Sequence, residues 1–187
     1  MKDNKGALKE NRTLPAIFLA ACELAAGKGS VDEKTLHKKL RIRIPTAIKI
    51  ICTMDIAGYL GERKGKGFVF SCGKCNLEEV RGRVAALGSK YLPLVESDEA
   101  FAETGYDGYV RGILLPALKT GIFYGSLSVT FLERKLSVVY ERACEVYDLL
   151  GVAGFLGADD EINPGRKLMT IGYDGYDAVY ARAESRK

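Results

Sequence analysis

Residues 29–61 read GSVDEKTLHKKLRIRIPTAIKIICTMDIAGYLG, and residues 125–157 read GSLSVTFLERKLSVVYERACEVYDLLGVAGFLG. Set one on the other without a gap, ten of 33 positions are identical, Leu36/Leu132, Lys39/Lys135, Ala47/Ala143, Gly58/Gly154 and Gly61/Gly157 among them. Average composition gives roughly two such matches by chance. The chain therefore reads as an internal duplication, and one unit predicts the other.

In the first unit, Thr13 is placed to cap an apolar helix over 14–26 that ends at Gly27. Ser30 and Glu33 have capping-box spacing and open a second helix that runs to about Lys39. After a tight turn over 40–43, residues 44–57 form a third helix. Its apolar positions Ala47, Ile50, Ile51 and Met54 recur at intervals of three and four, so one face is buried. Gly58 stops that helix. Short strands follow over 59–61 and 67–71, joined by the basic loop Glu62-Arg63-Lys64-Gly65-Lys66. Three helices and a hairpin are the layout of a winged helix-turn-helix, with the third helix as major-groove reader and the hairpin tip as wing.

The second unit predicts helices over 109–120, 128–135 and 140–153, a stop at Gly154, and strands over 155–157 and 167–170. Its hairpin loop is longer and opens on Asp159, Asp160 and Glu161. The expected organisation is a basic unit over 1–75, a connector over 76–106 with a helix at 77–87, and an acidic unit over 107–187 with a C-terminal helix. Gly-Tyr-Asp-Gly-Tyr occurs at 105–109 and again at 172–176, where each Asp is expected to cap a helix. The fold class is mainly α with small β-hairpins (α+β), as tandem winged helices.

The net charge of +4 hides a division. Residues 1–93 hold 18 Lys/Arg against 9 Asp/Glu, a balance of +9, and residues 94–187 hold 10 against 15, a balance of −5. A basic half gains affinity from nucleic-acid phosphates by releasing counterions, whereas an acidic half is repelled. No apolar run reaches the length of a bilayer span, and residues 1–12 are polar and lysine-rich, unlike a secretory signal. Five cysteines without framework spacing fit a reduced, cytoplasmic protein.

The stretch Leu40-Arg41-Ile42-Arg43-Ile44-Pro45-Thr46-Ala47, continuing to Met54-Asp55-Ile56-Ala57-Gly58-Tyr59-Leu60-Gly61, resembles the gamma domain of the FtsK/SpoIIIE DNA translocases. In the second unit the similar residues are Leu136, Val138, Tyr140, Arg142 and Ala143, then residues 153–157 and Pro164-Gly165-Arg166-Lys167-Leu168. The resemblance covers roughly 60 residues per unit and implies a winged helix that recognises short DNA sequences and contacts a recombinase. It also implies a part in chromosome segregation or plasmid maintenance; transcription regulation suits the same fold. Departures are plain. Pro45-Thr46 and Glu141-Arg142 stand where the family places its base-reading Asn-Arg, and Lys49 and Glu145 replace its following Arg. No P-loop is present, so no motor is expected.

These readings nominate a DNA surface. Its basic residues are Lys38, Lys39, Arg41, Arg43, Lys49, Arg63, Lys64 and Lys66; Arg41, Arg43 and the wing residues are expected to meet phosphates, and Thr46 and Lys49 base edges. Arg142, Arg166 and Lys167 are the second unit's candidates. Glu141 and Glu145 would face phosphates unfavourably, so that unit is expected to dimerise or to bind a protein partner. Double-stranded DNA is the expected ligand, and an adaptor whose units bind only protein is the alternative. Cys72-Gly-Lys-Cys75 is half of a zinc spacing without its other half, His37 falls among lysines, and Cys22 and Cys52 lie on apolar helical faces. Neither a metal nor a cofactor is expected. No motif for nucleophilic, metal-dependent or phosphoryl-transfer chemistry is present, and no enzymatic activity is expected.

Overall fold

The computed structural model describes residues 13–65, 67–71, 74–87 and 105–186. The first half runs α1 (Leu14–Lys28), β1 (Ser30–Val31), α2 (Glu33–Leu40), α3 (Ile44–Ile56), β2 (Leu60–Lys64), β3 (Gly67–Phe70) and α4 (Leu77–Leu87). The second runs α5 (Gly105–Tyr109), a π-helical segment (Val110–Leu114), α6 (Leu115–Tyr124), β4 (Ser126–Leu127), α7 (Val129–Leu136), α8 (Tyr140–Ala153), β5 (Leu156–Asp159), β6 (Lys167–Met169) and α9 (Tyr173–Glu184). The protein is mostly helical, with two small antiparallel sheets ordered β1-β3-β2 and β4-β6-β5.

The duplication extends past the stretch that reveals it. α2 and α7 begin and end 96 residues apart, and α4 and α9 begin 96 apart. The hairpins differ. Val31 pairs with Phe68, but Leu127 pairs with Lys167, so the second hairpin loop has gained three residues. The turn into α9 has lost three, which restores the register.

Local chemistry explains the boundaries. Thr13 caps α1 by accepting from the Ala16 N–H at 3.4 Å, and α1 runs one residue beyond Gly27 to a left-handed Gly29. Ser30 does not cap α2. It pairs with Val69 in the sheet, and the cap passes to Asp32, which accepts from the Thr35 N–H at 2.8 Å and the Thr35 hydroxyl at 2.7 Å. Ser128, the equivalent of Asp32, caps α7 through the Phe131 N–H. Nor do the two Gly-Tyr-Asp-Gly-Tyr aspartates cap. Asp107 and Asp174 lie inside the first turns of α5 and α9, where a carboxylate favours the positive end of the helix dipole.

The core is continuous across the two halves. Phe18, Leu36, Ile50 and Met54 of the first half and Leu118, Leu132, Leu149 and Leu150 of the second are fully buried. Burying each such side chain contributes about 1.5–3 kcal/mol. The packing is reciprocal: α8 lies on α1, and α3 lies on the π-helical segment, which with α6 is the counterpart of α1, and on α5 just before it. Likewise α4 packs on α8 and α9 on α3. The approach of α4 to α8 is close enough that a Cβ on Gly151 would sit 2.9 Å from a Leu87 methyl. Among the described residues, no helix is long and apolar enough to cross a membrane.

Candidate nucleic-acid interface and the junction between halves

The sequence-predicted surface divides into an exposed part and a buried part. Lys38, Lys39, Arg41 and Arg43 are exposed, on the last turn of α2 and the corner leading into α3. Arg41 takes a left-handed backbone (φ 54°), a conformation shared with its repeat equivalent Ser137 (φ 53°). His37 secures this corner, with its Nδ1 2.6 Å from the Ile42 carbonyl oxygen. In the Nδ1–H tautomer it donates that bond, which spans Arg41 and aims the corner. Nothing in the residue pattern around His37 signals this role.

Arg63 and Lys64 are exposed on β2, an edge strand. Arg63 lies over the Phe68 ring, 5.7 Å from its centroid. Lys66 lies outside the described residues, as does Cys72.

Thr46 and Lys49, the expected base readers, are buried, at 7% and 3% exposure. The Lys49 ammonium is 2.9 Å from both carboxylate oxygens of Glu145, its own equivalent in the repeat. Arg142 completes the group at 3.2 Å from Glu145. The third helices therefore face one another, and Glu145 turns inward instead of toward phosphates. Arg166 stacks over the buried Phe131 ring at 4.3 Å, and Lys167 pairs with Asp159 at 3.0 Å. The second half's three candidate cations are thus all engaged within the chain.

A second buried charge holds the other end of the junction. Asp55 is fully buried at the end of α3. It accepts from Arg186 in a two-pronged pair, at 2.7 Å from Nη2 and 3.1 Å from Nε, and from the Tyr106 hydroxyl. Arg186 also donates to the Gly61 carbonyl at 2.6 Å. Burial, and then the Asp55 charge, push the Tyr106 hydroxyl well above the usual phenol range. On the opposite side, Arg83 of α4 donates to the Val152 carbonyl and the Tyr59 hydroxyl, each at 2.9 Å. Tyr59 in turn donates to the Ala153 carbonyl at 3.0 Å. α4, and the residues just past α9, thereby each bring an arginine to the far end of the other half's third helix.

Beside α3 the junction leaves a cleft of about 740 Å³, lined by Ile48, Ile51, Phe68, Arg63, Tyr106 and Arg186 with acidic residues at its edge. This is the groove between the third helix and the hairpin, and α5 and the chain's end cover part of it.

Two further carboxylates of the second half are buried. Asp160, expected from the sequence to belong to an acidic loop, is buried and organises that loop by accepting from the Ile162 and Asn163 N–H groups. The neighbouring Ser126 hydroxyl and the hydrogen bonds from Asn163 lower its carboxyl to about 2. Asp148 of α8 is buried with one oxygen unsatisfied among the described residues. Burial, and then the Glu145 charge, raise its carboxyl to about 7.

Among the described residues, no cluster of three or more His, Cys, Asp or Glu could hold a metal ion. Comparison with protein-family models, curated proteins and solved structures finds no match to the chain.

Proposed function

We propose that the protein binds double-stranded DNA without enzymatic activity, through the basic corner of its first half, and that each half is a winged helix. The helix order and the sheet orders β1-β3-β2 and β4-β6-β5 support the winged-helix reading. The observation that carries the DNA reading is the exposed run Lys38, Lys39, Arg41 and Arg43 on a turn that His37 secures. With Arg63 and Lys64 of the hairpin, it offers guanidinium and ammonium groups to phosphates. Because Thr46 and Lys49 are inside the junction, binding in this arrangement is led by the DNA backbone and is tolerant of sequence. Any base preference comes from the start of α3, beside Arg43, and not from the middle of that helix. The gamma-domain resemblance points the same way, toward chromosome or plasmid maintenance, with transcription regulation equally suited to the fold. Fluorescence anisotropy of a labelled duplex across a salt series tests the proposal.

A second reading rests on a different observation. Among the described residues, the large apolar side chains that stand most exposed, Phe123, Tyr124, Val139, Ile162, Leu168 and Tyr173 among them, all belong to the second half. Scattered single exposures need no explanation, but their restriction to one half favours a protein-facing role there, as a dimer contact or a partner surface. Light scattering separates a self-associating second half from one that waits for a different protein.

A further inference from the structure

α1 and α6 each end at a left-handed glycine, Gly29 and Gly125, so Phe123 and Tyr124 stand where the first half has Gly27 and Lys28. Phe123 is 68% exposed and Tyr124 45%. Their rings meet edge to face with centroids 4.9 Å apart, and Tyr124 meets the buried Phe131 ring in the same way at 4.9 Å. Lys135 lies over both inner rings, 4.8 Å from the Tyr124 centroid and 5.6 Å from that of Phe131, and donates to the Tyr124 hydroxyl at 2.8 Å. Tyr124 is thereby held in place and buttresses a Phe123 ring left largely in water. The charge around these rings is positive although the half as a whole is acidic. Arg134 and Lys135, both exposed in the last turn of α7, repeat Lys38 and Lys39 of α2. Lys119 is exposed one turn before Phe123 on α6. Of the acids on these elements and the adjoining hairpin loop, Glu133 is half-buried, Asp159 pairs with Lys167, Asp160 is buried and Glu161 is exposed. The corner that carries Arg41 and Arg43 in the first half carries Ser137 and Val139 here. The second half has thus kept the basic end of its second helix, lost the basic corner and gained two exposed rings.

We propose that this patch holds single-stranded DNA, with an unpaired base stacked on the Phe123 ring and the phosphates beside it on Arg134 and Lys135. Exposed rings next to cations are the composition with which proteins hold unpaired strands, because every base has a face to stack and the cations follow the backbone. Inside a duplex those faces are covered by neighbouring base pairs, so the same rings gain nothing from it. The proposal goes beyond the duplex reading of the first half, and only the choice of DNA over RNA rests on that reading. It also leaves Ile162, Leu168 and Tyr173 for a protein contact.

Fluorescence anisotropy of the full-length protein with a labelled oligothymidylate tests this, beside an oligouridylate and a duplex of mixed sequence. The wild type is expected to bind the DNA strand, Phe123→Ala to bind it about tenfold more weakly, and Phe123→Tyr to retain it. Because Phe123 is exposed, both variants should melt with the wild type. Arg134→Ala/Lys135→Ala should also weaken binding, with a salt slope shallower by about 0.7 for each phosphate no longer neutralised. Duplex affinity, read on the same preparations, reports on the first half's corner and is expected to be unchanged in Phe123→Ala, so a failure of this proposal is distinguishable from a failure of the duplex reading. No strand binding at low salt, or strand binding that depends on Arg41 and Arg43 and not on Phe123, would overturn the proposal. Tighter binding of oligouridylate would overturn the choice of DNA. Self-association in light scattering that Phe123→Ala abolishes would assign the patch to a second copy of the chain instead.

Discussion

Lys49 and Glu145 occupy the same place in the two copies of the repeat, and their charged groups meet at 2.9 Å inside the protein. A residue that contacts its own equivalent marks a junction of two-fold character, as in an isologous dimer joined into one chain. The duplication therefore explains more than a shared local fold. It has been turned on itself, and opposite charges at one repeat position replace the like charges that identical copies would bring together.

This relationship makes a charge exchange informative. Lys49→Glu alone sets carboxylates against each other in a buried site and is expected to destabilise the protein by about 3–5 kcal/mol. Glu145→Lys alone brings Lys49 and Arg142 against a third cation and should be similarly harmful. The double exchange, Lys49→Glu with Glu145→Lys, restores the pair with its sense reversed and should recover at least half of the loss. Urea unfolding of the four proteins as a double-mutant cycle gives the coupling; strictly additive losses would contradict the pairing.

The Asp55–Arg186 pair predicts a local cost near the chain's end. Asp55→Asn leaves the Arg186 guanidinium in a half-buried place without its carboxylate partner, and about 3 kcal/mol of stability should go with it. Arg186→Lys cannot reproduce the two-pronged geometry and should fall between wild type and Asp55→Asn. Thermal melts of the two variants check the order.

Asp148 predicts a pH dependence. Its folded carboxyl titrates at about 7, above the unfolded value, because burial and Glu145 disfavour the anion. The folded state therefore holds a proton that the unfolded state has already lost. The stabilisation is fully present below the unfolded carboxylate range, near pH 4, and is lost as pH rises toward 7. Asp148→Asn should remove this slope and leave the variant more stable than wild type at pH 8, by on the order of a few kcal/mol at most. Denaturant midpoints measured from pH 4 to pH 8 decide it; parallel curves for the two proteins would show that Asp148 does not titrate in this window.

Removing the second half bears on organisation. A chain ending at residue 93 would expose the Lys49 face of α3 and the face of α1 that packs on α8. Such a truncation is expected to lose cooperative unfolding, so a failure to bind DNA would then report on folding and not on the DNA surface. A cooperative melt for residues 1–93 would instead show that the first half stands alone.

Much of the fold was legible because it rests on local rules. The apolar spacing of α3, the glycine stops at Gly58 and Gly154, the helix over 77–87 and the two hairpins all follow from nearest-neighbour chemistry. The short strands β1 and β4 were not legible, since two residues carry no periodicity, and β1 drew Ser30 away from the expected cap. The site was less legible for a tertiary reason. A helix-three face with Thr46 and Lys49 reads as polar and exposed until its partner is known, and that partner lies 96 residues away. One signal was present: Lys49 and Glu145 carry opposite charges at one repeat position, which is the pattern a two-fold junction requires. Asp55, Arg186 and Tyr106 offered no such clue, because their pairing follows from how α5 and the chain's end pass over α3.

The most direct test of DNA binding is the anisotropy of a labelled random-sequence duplex, titrated with the full-length protein at several salt concentrations, beside the Arg41→Ala/Arg43→Ala variant. Binding through the basic corner requires log affinity to fall linearly with log salt for the wild type. It also requires the variant to bind all sequences more weakly, with a slope shallower by about 0.9 for each phosphate it no longer neutralises, up to roughly 2. Absence of binding at low salt, or a slope unchanged in the variant, would contradict it.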